Sequence, residues 1–251
     1  MSKEQKKNLL IFSFSGLLLF SLMIFGGVKN NSRSIEELDV EVAKEDGLFF
    51  TDELEVIDLM TDSTGYVVGV EAREMDPKVL EARVEANPFV KEAQVFRDVE
   101  GNLQVRVKQS KPIARVFTNS DKDKYIDSEG RVLPVNAKHT ARVPLLETEF
   151  EFGWENHLGE SPYGRQVFEL LLFIEQDPFW KAQIAHILLK KDGEIELYPQ
   201  VTKQTIVFGK PENLEEKFSK LMTFYKEILP KKGWNHYSKV NVKFKDQIVC
   251  E

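Results

Sequence analysis

A single cysteine, Cys250, excludes any intramolecular disulfide, so the fold must stand on its cores. The four histidines, His139, His157, His186 and His236, lie far apart without HxxxH spacing, and no metal-ligand set is legible. No GxSxG elbow, P-loop or GxGxxG occurs, and Gly65 and Gly69 form a glycine pair with no lysine after it. Basic residues are scattered through a chain of net charge −7, which excludes a nucleic-acid footprint. Glu147, Glu149 and Glu151 alternate along LETEFEF and offer a carboxylate pair for sugar hydrolysis. The same alternation describes the solvated face of a strand that buries Leu146, Phe150 and Phe152. With no active-site signature, cofactor motif or small-molecule site, the sequence points to a binding protein.

What is present begins with Leu9–Val28, which carries no charge over its whole length. At a helical rise of about 1.5 Å per residue it would span roughly 30 Å, so the run predicts one transmembrane helix. A cleaved secretory signal is the alternative, but its apolar core is typically about 7–15 residues, and Ile24 and Phe25 stand where small residues belong. Lys3, Lys6 and Lys7 before the run predict a cytoplasmic tail at residues 1–8. Residues 29–37 read as a polar tether.

From there LDVEVA, Leu38–Ala43, alternates as a strand. Thr51-Asp52-Glu53-Leu54 starts a helix, with Leu54, Ile57, Leu59 and Met60 as its inner face, and Asp76-Pro77 starts a second that buries Val79, Leu80 and Val84. Pro88 stops that helix. Phe89–Arg97 and Asn102–Lys108 form a hairpin across Glu100-Gly101. Strand, helix, helix, strand, strand over residues 38–111 is an α+β unit. After Pro112 the chain, residues 112–251, reads as a strand-rich β domain with two helices, one starting at Ser161-Pro162 and one over Glu212–Leu229 that ends at Pro230. Tyr237–Val249 closes it, with Val240, Val242 and Phe244 on one face and Lys239, Asn241, Lys243 and Lys245 on the other. This segment reads either as an exposed edge strand guarded by lysines or as the last core strand.

Asn87-Pro88-Phe89-Val90, the alternating Leu103–Val107, and Gln109-Ser110-Lys111-Pro112-Ile113-Ala114, followed by Tyr125-Ile126-Asp127-x-x-Gly130, resemble the POTRA (polypeptide-transport-associated) module and following signature of the FtsQ/DivIB bacterial cell-division proteins. Phe89, Gln109 and Ser110 stand for that family's usual Trp, Glu and Arg. Val240-Asn241-Val242-Lys243-Phe244 is similar to its C-terminal Val-Asp-Leu-Arg-Tyr. The resemblance implies a non-enzymatic scaffold of the divisome, single-pass with its bulk outside the inner (plasma) membrane at the septum, linking the cytoplasmic ring to wall synthesis. It implies FtsB and FtsL as partners, with FtsK beside them. It also implies docking by strand addition along Val240, Asn241, Val242, Lys243, Phe244, Lys245, Gln247, Ile248 and Val249. A POTRA-type polypeptide chaperone or transport component of the envelope is the alternative.

Overall fold

The computed structural model describes residues 15–18, 20, 21, 34–44, 47, 49–61, 67–71, 74–117, 123–150 and 155–251. It overturns the expected membrane span. Among the described residues no helix is long and apolar enough to cross a membrane. Of Leu9–Val28 only residues 15–18, 20 and 21 are described, and they are helical. The rest of that run, the tail at 1–8 and residues 29–33 lie outside the described residues.

The chain divides into two compact units, Met1–Gln109 and Ser110–Glu251. In the first, β1 (Leu38–Val42) runs parallel to β3 (Leu103–Gln109), and β3 pairs antiparallel with β2 (Val90–Arg97), giving the order β1-β3-β2. Two helices, α1 (Glu53–Met60) and α2 (Pro77–Glu85), share one core with the inner sheet face, where Val42, Ala93, Val95, Leu103, Val105 and Val107 meet Val56, Met60, Leu80 and Val84. Each helix is started by an aspartate: the Glu55 N–H donates to Asp52, and the Lys78 N–H to Asp76 beside Pro77. The α2 exit is a turn in which the Phe89 N–H donates to Asn87 Oδ1, after which Phe89 stacks on Phe50 at 4.9 Å. Between β2 and β3, Asp98 Oδ1 accepts the N–H groups of Glu100, Gly101 and Asn102. Buried Gln109 accepts the Phe50 and Thr51 N–H groups and donates to the Ala43 carbonyl. An ionised glutamate there has no proton for that last bond.

Two expected inner positions are solvent-facing: Leu54 is 74% exposed and Val79 48%. Val56 takes the inner place on α1, because the side that meets the sheet is one residue round from the expected stripe.

The second unit is one nine-stranded mixed sheet. Its strands are β4 (Pro112–Phe117), β5 (Lys124–Asp127), β6 (Val132–Pro134), β7 (Leu145–Thr148), β8 (Ile184–Leu189), β9 (Ile195–Pro199), β10 (Thr205–Gly209), β11 (Lys239–Asn241) and β12 (Val249–Cys250). Their order is β12-β11-β10-β9-β8-β7-β4-β5-β6. Register sets Val116, Leu146, Ile187, Leu197, Ile206 and Val240 in one row across the sheet, all buried. Against this row pack α3 (Pro162–Gln176), with Val167, Leu170, Leu171 and Ile174, and α5 (Leu214–Thr223), with Phe218 and Leu221; the short α4 (Pro178–Gln183) adds Trp180.

The last helix does not stop at Pro230. Phe224–Ile228 forms a wider π turn in which the Leu229 N–H bonds back to the Phe224 carbonyl. The chain then continues into α6 (Leu229–Lys232), near whose start Pro230 is tolerated, and ends at Gly233, φ 102°.

Candidate docking edge

The residues expected to form one edge strand build a hairpin instead. β11 is flanked on both sides, by β10 in parallel and by β12 antiparallel, so at this end of the sheet the edge strand is β12, the opposite end being β6. The expected alternation holds through Lys239, Val240, Asn241 and Val242, with both valines fully buried, and breaks at Lys243. There Asn241 Oδ1 accepts the Lys243 N–H, turning the chain away from the sheet, and Asp246 at φ 56° helps to bring it back. The Val242 N–H donates to the Val207 carbonyl at 3.1 Å, so Val242 belongs to the interior ladder and not to a free edge.

The hydrogen bonds of the terminal pair fix the phase of the true edge. The Glu251 N–H donates to the Lys239 carbonyl and the Lys239 N–H to the Glu251 carbonyl, at 3.0 and 3.1 Å. Antiparallel pairs alternate, so the neighbouring Val240–Cys250 pair is non-hydrogen-bonded, and the N–H and C=O of Cys250 point outward. Those are the groups an added strand meets. The Cys250 thiol packs half-buried on the core, which pushes its pKa up.

The turn between β11 and β12 is held from two sides. Lys243 Nζ reaches both carboxylate oxygens of Glu194, at 3.1 and 3.3 Å, and lies over the Phe244 ring. Lys220 Nζ, from α5, donates to the Phe244 carbonyl at 2.7 Å and to Glu216 at 3.0 Å. That Lys220 bond, with the Asp246 N–H adding to it, holds the Glu216 carboxyl below its ordinary range. Gly209, φ 77°, lets the turn come close, since a Cβ there would stand 2.7 Å from Lys243 Cβ. Lys245, Gln247 and Val249 are exposed, and Ile248 is partly buried against the core.

A family model described as FtsQ/DivIB, C-terminal related, matches residues 111–251, and a POTRA-like domain model matches residues 34–108. The chain belongs to the FtsQ/DivIB family. Among curated proteins it is similar to the cell division protein FtsQ of Rhodothermus marinus, 26% identical over 181 residues that cover 70% of this chain and 65% of that protein. The chain thus spans a little under two thirds of that relative.

Within this FtsQ/DivIB chain the other singled-out residues have local roles. Asn87 forms its turn, Phe89 and Val90 enter the first core, Pro88 is exposed, and Pro112 opens β4 in a buried position. Asp127 Oδ1 accepts the N–H groups of Glu129 and Arg131, and Arg131 donates through Nε to Asp127 Oδ2 and through Nη2 to Ser110. His157 spans Gly130: its Nδ1 accepts the Gly159 N–H at 2.8 Å, while its Nε2 lies 2.7 Å from the Glu129 carbonyl.

Glu147 lies 3.0 Å from His186, Glu149 accepts the Lys191 N–H, and Glu151 lies outside the described residues. His186 stacks on Tyr198 at 4.9 Å, and burial, then the bond to Glu196, pushes the Tyr198 hydroxyl up to about 12. Among the described residues no group of three or more His, Cys, Asp or Glu is placed to hold a metal.

Proposed function

We propose that this FtsQ/DivIB chain is a non-enzymatic division scaffold that takes a partner strand on the outer edge of β12. Its partner is the extracytoplasmic segment of FtsB in its pair with FtsL, and the complex stands at the septum, where it links the cytoplasmic ring to wall synthesis. One observation carries this reading: the outward N–H and C=O of Cys250 at the end of a nine-stranded sheet, on a hairpin whose turn is already fixed. Fixing the turn before binding lowers the ordering cost of docking, and the backbone groups supply the pairing. Substitutions such as Lys243 for the family's Arg leave that backbone pairing intact, since Lys243 is engaged with Glu194.

The test is affinity capture with the full chain. Cys250→Pro removes an outward donor, together with a half-buried thiol contact that Cys250→Ser largely keeps, at a position where an edge strand admits proline. It is expected to abolish capture of FtsB and FtsL with little loss of stability, while Cys250→Ser captures them normally. Val242→Pro removes the bond to Val207 and disturbs a buried site, so it lowers stability as well. Normal capture by a folded Cys250→Pro chain would refute docking at β12.

A further inference from the structure

The outer edge of β2 in the POTRA-like unit is hydrogen-bonded by side chains. The Ala93 N–H donates to Glu85 Oε1 at 3.0 Å, and the Val95 N–H donates to Glu81 Oε1 at 2.9 Å. Both donors therefore point away from β3, toward α2. The fit has a geometric cause. Glu81 and Glu85 are four residues apart on a helix, an axial step of about 6 Å. Ala93 and Val95 are two apart on a strand, a step of about 6.8 Å. Because α2 turns back into β2 through Asn87-Pro88, the two elements run in opposite senses, and the carboxylates meet the donors in reverse order.

Each carboxylate oxygen occupies the place that the carbonyl of an added strand would take. A charged acceptor makes the stronger bond, so an incoming neutral carbonyl exchanges a better partner for a worse one. We propose that Glu81 and Glu85 seal β2 against strand addition, and that removing both carboxylates opens this unit to edge pairing with a second copy of the chain. The inference stands on the first unit alone and does not depend on docking at β12.

A two-fold pairing of opened β2 edges sets Ala93 opposite Val95 and leaves Gln94 facing Gln94 in a non-hydrogen-bonded pair, with Cα atoms about 4.5 Å apart. That separation is within disulfide reach, about 4.4–6.8 Å. The experiment uses the full chain carrying Cys250→Ser and Gln94→Cys, with and without Glu81→Ala and Glu85→Ala. It is run under mild oxidation at about 0.5 M salt, to screen Lys91 from Arg97 of the second copy. The sealed chain is expected to stay uncrosslinked and the opened chain to form a covalent dimer through position 94. Exchange of the Ala93 and Val95 amides is expected to rise about tenfold or more on opening. Glu81→Gln with Glu85→Gln keeps only a neutral oxygen acceptor at each position and is expected to crosslink more than the sealed chain and less than the alanine variant. Should the alanine variant fail to fold, Glu81→Lys with Glu85→Lys removes the same acceptors. Fast exchange of Ala93 and Val95 in the unaltered chain, crosslinking of the sealed chain, or an opened chain that neither exchanges faster nor dimerises would each overturn the seal.

Discussion

Gly130→Ala tests how tightly the turn between β5 and β6 is built. Gly130 stands at φ 84°, and an added Cβ would lie 2.7 Å from His157 Cε1 and 2.9 Å from Nε2. The left-handed conformation alone costs a non-glycine residue about 1–2 kcal/mol. The ring cannot simply move aside, because one nitrogen is bonded to the Gly159 N–H and the other lies against the Glu129 carbonyl. Displacing it forfeits one or both contacts, each worth about 1 kcal/mol. The expected loss is therefore about 2–4 kcal/mol. Denaturant titration read by tryptophan fluorescence isolates this unit, since Trp154, Trp180 and Trp234 all follow residue 110. In His157→Ala with Gly130→Ala the clash is gone, so the double variant should be more stable than the sum of the single losses by about 1 kcal/mol. Additive losses within about 0.3 kcal/mol would show that the imidazole does not confine Gly130, and the reasoning would fail.

Phe218→Ala should cost about 3–5 kcal/mol in the same titration, because its buried ring packs on Phe173, Trp180 and Phe208; a loss below about 1 kcal/mol would contradict that packing. Tyr198 gives the pH dependence. Its hydroxyl is held up to about 12 against an ordinary 10.0, so the folded chain keeps a proton that the unfolded chain has lost. The stability it contributes is complete below pH 10.0 and is lost as the pH rises through about 12. Tyr198→Phe should flatten that alkaline decline, and an unchanged slope would exclude Tyr198 as its source.

The parts of the fold that were legible are those decided within a few residues. Asp76-Pro77 starts α2 and Asn87-Pro88 ends it through side-chain bonds to their own neighbours. Asp98 closes the β2–β3 turn in the same way. Leu54 and Val79 face solvent because both helices offer more than one apolar stripe, and the sheet beneath decides which is covered. Pro230 does not end the helix because the five-residue π turn just before it, packed by Phe224 and Tyr225 in the core, carries the helix past it. An uncharged apolar run of that length predicts a span, yet among the described residues no helix is long and apolar enough to cross a membrane. β12, two residues long, carries no alternation to detect. Glu81 and Glu85 look like ordinary surface glutamates in sequence; an i, i+4 acid pair just before a strand is the one signal that would have found them.

By itself the sequence determined the two-unit order, the helix starts and stops set by capping side chains, the family, and the apolar rows that must face a core. All of these follow from local dihedral preference and from periodicity. Only the tertiary structure decided which strand lies at the end of the large sheet, which way each edge N–H points, and that α2 closes one edge while Cys250 leaves another open. Edge identity and hydrogen-bond phase are properties of pairing. A strand's own residues are compatible with either phase until a neighbour distant in the chain takes one side, and that choice sets where a partner can bind.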